Sequence, residues 1–178
     1  MAKRSQRGMT ALGLSLADGS PAPDILTSAL ARTNAAGIRF FTLDTAGDTL
    51  DHRRKVFELV KEGVVDDPSN DGTFMDFEEF SEHLFGAYYW RWSDAQFLAA
   101  DGDEWVGLTN LQLREATRAE FGVTVVRRGY RRRGIARALK LLALDYLRSR
   151  SVRSIHTRND PTNTPILCLN RDLGFRRT

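Results

Sequence analysis

A chain of 178 residues with 42% hydrophobic content is long enough for one domain with a sizeable core. A net charge of +3 and a pI near 9.3 make it only mildly basic, which argues against a protein-wide nucleic-acid surface, and no apolar run approaches the roughly 18–20 residues that span a bilayer. Cys168 is the only cysteine, so an internal disulfide and a cysteine-based zinc site are excluded, and a reducing, cytoplasmic setting is the expectation.

The basic start, Met1 to Arg7, is followed by an apolar stretch that Gly13, Ser15 and Asp18 interrupt, so no secretory signal is expected. Residues 1–23 read as a flexible segment ahead of a single domain over 24–178. Asp24 caps a helix through Ile25, Leu26, Leu30 and Ala31, and Gly37 ends it. Ile38 to Leu43 is a short apolar strand. Asp48 to Asp51 offer caps for a helix with Val56, Leu59 and Val60 inward, stopped by Gly63. Asp66 to Gly72 is a loop by composition, and Asp76 to Glu79 form a capping box for a helix presenting Phe77, Phe80 and Leu84. Tyr88, Tyr89, Trp90 and Trp92 follow, either as the wall of a pocket or as packing under a sheet. Strands are expected at Gln96–Ala99 and Trp105–Leu113, around an Asp101-Gly102 turn, and at Ala119–Val126.

The next stretch carries the chemistry. Six arginines fall between Arg127 and Arg137, in a chain whose only lysines are Lys3, Lys55, Lys61 and Lys140. The β-branched run Val123 to Val126 enters this basic turn, and from Gly134 apolar residues recur at helical spacing: Ile135, Leu139, Leu142, Tyr146. A strand passing through a tight turn into a helix N-terminus presents unpaired N–H groups and the positive end of the helix dipole, so an anion is expected there. Gly134 lets a ligand approach the backbone closely. Leu141 to Leu144 are all apolar, so the helix is read as largely buried. A strand at Val152–Thr157 then completes a right-handed βαβ unit with parallel strands. A last helix, capped by Thr164 with Pro165 at its first position, ends at Leu173-Gly174-Phe175. The expected class is α/β, a mixed sheet in which an antiparallel meander joins one parallel crossover, flanked by helices.

Two motifs in this frame resemble those of the GNAT superfamily of acyl-CoA-dependent N-acyltransferases. Arg131-Arg132-Arg133-Gly134-Ile135-Ala136 matches its Arg/Gln-x-x-Gly-x-Gly/Ala signature, and Asn163 to Phe175 resembles its Asn-x-x-Ala-x-x-Leu-Tyr-x-x-Leu-Gly-Phe. The element order is also the family's. The resemblance covers roughly Ile38 to Phe175, with specific motifs only from Val123 onward, and is nearest to the C-terminal module of tandem bacterial GNAT proteins.

The resemblance implies acetyl-CoA as co-substrate and a small-molecule or peptide amine as acceptor. Backbone groups of Arg131, Arg132, Arg133, Gly134, Ile135, Ala136 and Arg137 would hold the pyrophosphate. Val125, Val126 and Arg127 would pair with the pantetheine arm, and Asn163 would contact the cofactor. Asn170 stands where the family has a tyrosine that protonates the leaving thiolate, and an amide is no acid. Glu120 shares a strand face with Val126 and is either a general base or a solvent-facing residue. His83 and His156 read as helix-surface and strand residues, Cys168 as an inert buried thiol, and no grouping has metal-ligand spacing. Only Arg176-Arg177-Thr178 follow the Gly-Phe, where relatives add one or two strands, so the expectation is missing C-terminal strands and an open sheet edge, from either a truncated chain or an edge supplied by a second copy, giving a homodimer or a weakly stable monomer. Three functions compete: an N-acetyltransferase, a non-catalytic module of the same fold that binds CoA or a partner chain, and a nucleic-acid binder, which the confinement of the arginines to one turn disfavours.

Overall fold

The computed structural model describes residues 8–16 and 23–178. One seven-stranded sheet runs through the molecule in the order β2-β3-β4-β5-β6-β1-β7. Its strands are β1 (Thr10–Ser15), β2 (Ile38–Thr42), β3 (Gln96–Asp101), β4 (Glu104–Glu115), β5 (Arg118–Val126), β6 (Ser154–Asn159) and β7 (Arg176–Arg177). All neighbours are antiparallel except β5 and β6, the parallel pair of the expected crossover.

Helices cover both faces. On one lie α1 (Pro23–Asn34) and the crossover helix α5 (Ile135–Ser149), whose Ile135, Ala138, Leu139, Leu141, Leu144 and Leu147 are buried. Each such leucine contributes roughly 1.5–3 kcal/mol by leaving water, which is what anchors α5 and fixes its N-terminus. On the other face, after the one-turn α2 (Leu43–Ala46), α3 (Leu50–Val65) packs Val56, Phe57, Leu59 and Val60 against Leu98, Leu108 and Val125. The chain returns through α4 (Phe77–Glu79), a π-helical stretch (Phe80–Tyr89) and a 3-10 stretch (Trp90–Ala95). Asp76 caps α4 as expected, its carboxylate accepting the Glu79 N–H at 2.8 Å.

Several expectations are corrected. Residues 10–15, read as part of a flexible segment, form β1, which pairs with β6 over six positions and is followed on its other side by β7. The β6 edge expected to lie open is therefore covered by the chain's own N-terminal strand, and the open-edge argument for a homodimer loses its premise there. Residues 1–7 and 17–22 of that segment lie outside the described residues. Gly63 does not stop α3, which continues to Val65; a Cβ at Gly63 would lie 2.8 Å from the Val125 Cβ, so glycine is there to let the helix sit close on β5. The cap of α3 does come from the expected stretch 48–51: Thr49 accepts the His52 N–H at 3.1 Å, while Asp48 grips Arg53. Asn163 rather than Thr164 is the N-cap residue of α6 (Thr164–Asp172).

Candidate active site

The parallel pair β5 and β6 is joined only at Arg118–Glu120 and Ser154–His156, although β5 runs on to Val126 and β6 to Asn159. Beyond Glu120 the strands part, leaving a V-shaped opening in the sheet. β5 also carries one extra residue at Gly122–Val123 opposite Asn110, a bulge that increases the local bend. Arg127 donates its backbone N–H to the Val106 carbonyl of β4 at 2.9 Å. Such groups alternate from side to side in an antiparallel pair, so Val125 and Arg127 face β4, and the edge lining the opening belongs to Thr124 and Val126. The Val126 carbonyl accepts from Arg131 Nε at 2.9 Å, which leaves the Val126 N–H and both Thr124 groups toward the gap.

At the head of the opening lies the arginine turn. A 3-10 turn at Arg128–Tyr130 leads through extended Arg131 to two left-handed residues, Arg132 at φ 65° and Gly134 at φ 83°, before α5 begins. A left-handed residue beside a right-handed one, as Gly134 is beside Ile135, draws successive N–H groups into a concave anion nest, here continuous with the unpaired first-turn N–H groups of α5. A Cβ at Gly134 would meet nothing nearer than Thr33 at 3.8 Å, so the concavity is open. The residues expected to hold a pyrophosphate, Arg131 to Arg137, lie along this turn and the first turn of α5.

The arginines divide into two sets. Arg127, Arg128 and Arg131 turn toward the C-terminal end of α3. Glu62 accepts the Arg128 backbone N–H at 2.7 Å and lies 3.4 Å from Arg127 Nη1, and Asp66 takes Arg128 Nε at 3.1 Å and the Nη2 of both Arg128 and Arg131. The hydrogen bond from Arg128, chiefly, and that from Arg131 hold the Asp66 carboxyl below its ordinary range despite partial burial. Arg132 and Arg133 are exposed at the nest, with Arg133 Nη2 on the Gly129 carbonyl at 2.9 Å, and Arg137 lies in the first turn of α5. Asn163 sits across the opening, its Nδ2 3.5 Å from Asp67 Oδ2.

Neither residue considered for acid–base work is free. Glu120, its side chain 22% exposed, binds Arg114 through two nitrogens at 2.9 Å and approaches Arg158 at 3.5 Å. Asn170 is fully buried; its Nδ2 donates to Asn159 Oδ1 at 2.8 Å, and its Oδ1 has no partner among the described residues. Of the aromatic cluster, Tyr89 is core, Trp90 packs beside Phe85 and Trp92 lies on the α5 face, so packing is the reading that holds for those three, and Tyr88 alone is exposed.

Sequence reasoning missed two groups. One is the amide network beside the bulge: Asn110 Nδ2 donates to the Tyr88 carbonyl at 2.9 Å and to Gln96 Oε1 at 2.6 Å, tying the π-helical stretch to the sheet floor. The other is the Glu62–Asp66 pair. Two acids four residues apart at a helix C-terminus oppose the dipole and call for a cation, which is the signal that was available. A cavity of about 680 Å³ between β1, α6 and β7, lined by Leu12, Leu167, Cys168 and Phe175 among others, includes none of the turn residues.

Over residues 64–175 the sequence matches the acetyltransferase (GNAT) family. Among solved structures, a GCN5-related N-acetyltransferase from Sphaerobacter thermophilus superposes with a TM-score of 0.68 at 23% identity, covering 96% of this chain and 48% of that one. A tandem GNAT protein from the clavulanic acid biosynthesis pathway gives 0.62 at 23%, covering 98% and 51%. The ribosomal-protein-S18-alanine N-acetyltransferase of Escherichia coli gives 0.59 at 16%, covering 79% of each chain. The chain thus spans about half the length of the first two proteins. No curated protein matches significantly.

Proposed function

The chain belongs to the acetyltransferase (GNAT) family, and on that premise we propose that it transfers an acetyl group from acetyl-CoA to a primary amine of a small molecule or peptide by direct attack in a ternary complex. The observation that carries this reading is the left-handed nest at Arg132–Gly134, set at the N-terminus of α5 and at the head of the gap between β5 and β6. The nest and the first-turn N–H groups of α5 would take the pyrophosphate, with Arg132, Arg133 and Arg137 as flanking charge. Thr124 and Val126 would pair with the pantetheine amides as an added strand.

In the reaction the amine lone pair adds to the thioester carbonyl carbon, and the oxygen gains negative charge. The Val126 N–H, turned into the gap, would be the donor that stabilises it. Collapse would break the C–S bond and release CoA as thiolate, and the proton lost by the nitrogen would pass to that thiolate or to water, leaving the neutral amide. A thiol with a pKa of about 8.5 leaves with little need of an acid, so the buried Asn170 is no obstacle. With Glu120 held by two arginines, the amine would enter neutral or lose its proton to water. Orientation would supply much of the rate.

A second reading, a non-catalytic module that binds CoA or a partner chain, is favoured by one observation, that neither Glu120 nor Asn170 is free to move a proton. Chromatographic measurement of CoA formed from acetyl-CoA across a panel of small and peptide amines separates the two. Amine-dependent CoA release supports the transferase; saturable binding without release from any amine supports the module.

A further inference from the structure

We infer that Glu62 and Asp66 are positioning residues that hold the phosphate-binding turn in its anion-accepting shape. This rests on the acetyl-CoA reading of the same turn. The two carboxylates project from the last turns of α3, where helix-end carbonyls already make negative charge unfavourable. Yet their side chains are only 18% and 20% exposed. What offsets that cost is on the other side of the contact: three guanidinium groups and one backbone N–H from the turn.

The consequence is geometric. The Arg128 N–H bond to Glu62 fixes where the 3-10 turn begins. Arg131 is pinned at both ends of its guanidinium, by the Val126 carbonyl through Nε and by Asp66 through Nη2. Arg132, next in the chain, is thereby delivered in the left-handed conformation that an L-residue resists, and with it the nest N–H groups. The same pairing neutralises two acids that would otherwise repel a polyanionic ligand, and it leaves Arg132, Arg133 and Arg137 to meet the phosphates. The turn is ordered before its ligand arrives, so less entropy is lost on binding.

The test compares acetyl-CoA titration and steady-state kinetics for the wild-type chain and for Glu62→Ala, Glu62→Gln, Asp66→Ala, Asp66→Glu and Arg128→Ala, with amide hydrogen exchange of the ligand-free proteins. Glu62→Ala and Asp66→Ala should raise Kd and KM about tenfold, with kcat within about twofold, as expected for lost preorganisation of binding. Glu62→Gln keeps an acceptor for the Arg128 N–H and should recover most of the affinity, as should Asp66→Glu. Asp66→Ala combined with Arg128→Ala should be no worse than either alone. Exchange at the Arg128 amide should be slow in the wild type and accelerated in Glu62→Ala. Unchanged or tighter binding in the alanine variants would overturn the inference, the latter by making the acids competitors of the phosphate. A wild type that binds no acetyl-CoA yet protects the Arg128 amide would overturn the cofactor reading while leaving the latch in place; an unprotected amide would overturn the latch itself.

Discussion

Two polar clusters lie along β5, and they are built on opposite terms. At its outer end, around the arginine turn, Arg127, Arg128 and Arg131 meet Glu62 and Asp66 within hydrogen-bond or ion-pair reach. Beneath its inner half, under Phe121 and Phe175, Lys140 of α5 is 1% exposed and has no ion pair among the described residues. Its ammonium lies 3.7 Å from the centre of the Phe121 ring and 5.8 Å from that of Phe175. Burial lowers its pKa from 10.5 to about 7. Asn170, whose backbone carbonyl accepts the Phe175 N–H at 3.0 Å, has a buried Oδ1 with no partner among the described residues. The first cluster gains order from its charges and exposes its backbone strain, at Arg132, to solvent. The second places its cost in the core. On the proposed acetyl-CoA reading the first cluster would be tuned for a ligand, while the second carries a stability penalty that packing must offset.

The largest test of the contrast is Lys140→Met. A methionine of similar length removes the need to bury a neutralised amine, and stability near pH 7 should rise by about 3 kcal/mol, after allowing for the lost ring contact. The sign in pH follows from linkage. Between pH 7 and about 9.5 the unfolded chain keeps the lysine proton while the folded chain releases it, so wild-type stability should climb across that window. Urea melts at pH 7 and 9.5 should show that climb in the wild type and a flatter profile in Lys140→Met. A parallel climb in the variant would assign it to other groups.

Gly63→Ala acts on the other cluster. It sets a methyl carbon 2.8 Å from the Val125 Cβ and should cost about 2 kcal/mol by overpacking. Because it lifts the end of α3 off β5, it should also weaken acetyl-CoA binding; a loss of stability with affinity intact would separate α3 from the turn. Arg132→Gly is smaller. Relief of the left-handed strain, less the entropy of a glycine, should stabilise the chain by about 0.5 kcal/mol, while one cation fewer at the nest weakens acetyl-CoA binding a few-fold. Thermal melts with and without acetyl-CoA should show the two effects in opposite directions. Smallest of all is Glu120→Gln. With Glu120 already held by Arg114 and Arg158, kcat/KM should change by less than about threefold, whereas a general base would lose a hundredfold or more.

The sequence was most readable where structure is local. The β-branched run into a glycine turn and a heavily apolar helix announced β5, the turn and α5, and Asp76 announced its cap. It was least readable where distant contacts decide. Leu12, Leu14 and Leu16 do alternate as a buried strand should, but a six-residue strand with Gly13 inside it gains meaning only by pairing with β6, some 140 positions later in the chain. Gly63 has the spelling of a helix stop and is instead a close approach to Val125. The π-helical form of Phe80–Tyr89 follows from packing Phe80, Phe85 and Tyr89 on one core, which no short-range rule encodes. At the site, motif positions located the nest, but not which arginines are already paired. Nor did they reveal that alternation turns Thr124 and Val126, rather than Val125 and Arg127, into the gap.

Whether the turn at Arg132–Gly134 binds the phosphates of acetyl-CoA is decided by isothermal titration of acetyl-CoA into the wild-type chain and into Gly134→Glu. One site with micromolar affinity is expected in the wild type, and at least a hundredfold loss in Gly134→Glu, in a variant whose circular dichroism shows it folded. Equal affinity in the two folded chains, or no binding to the wild type, would contradict it.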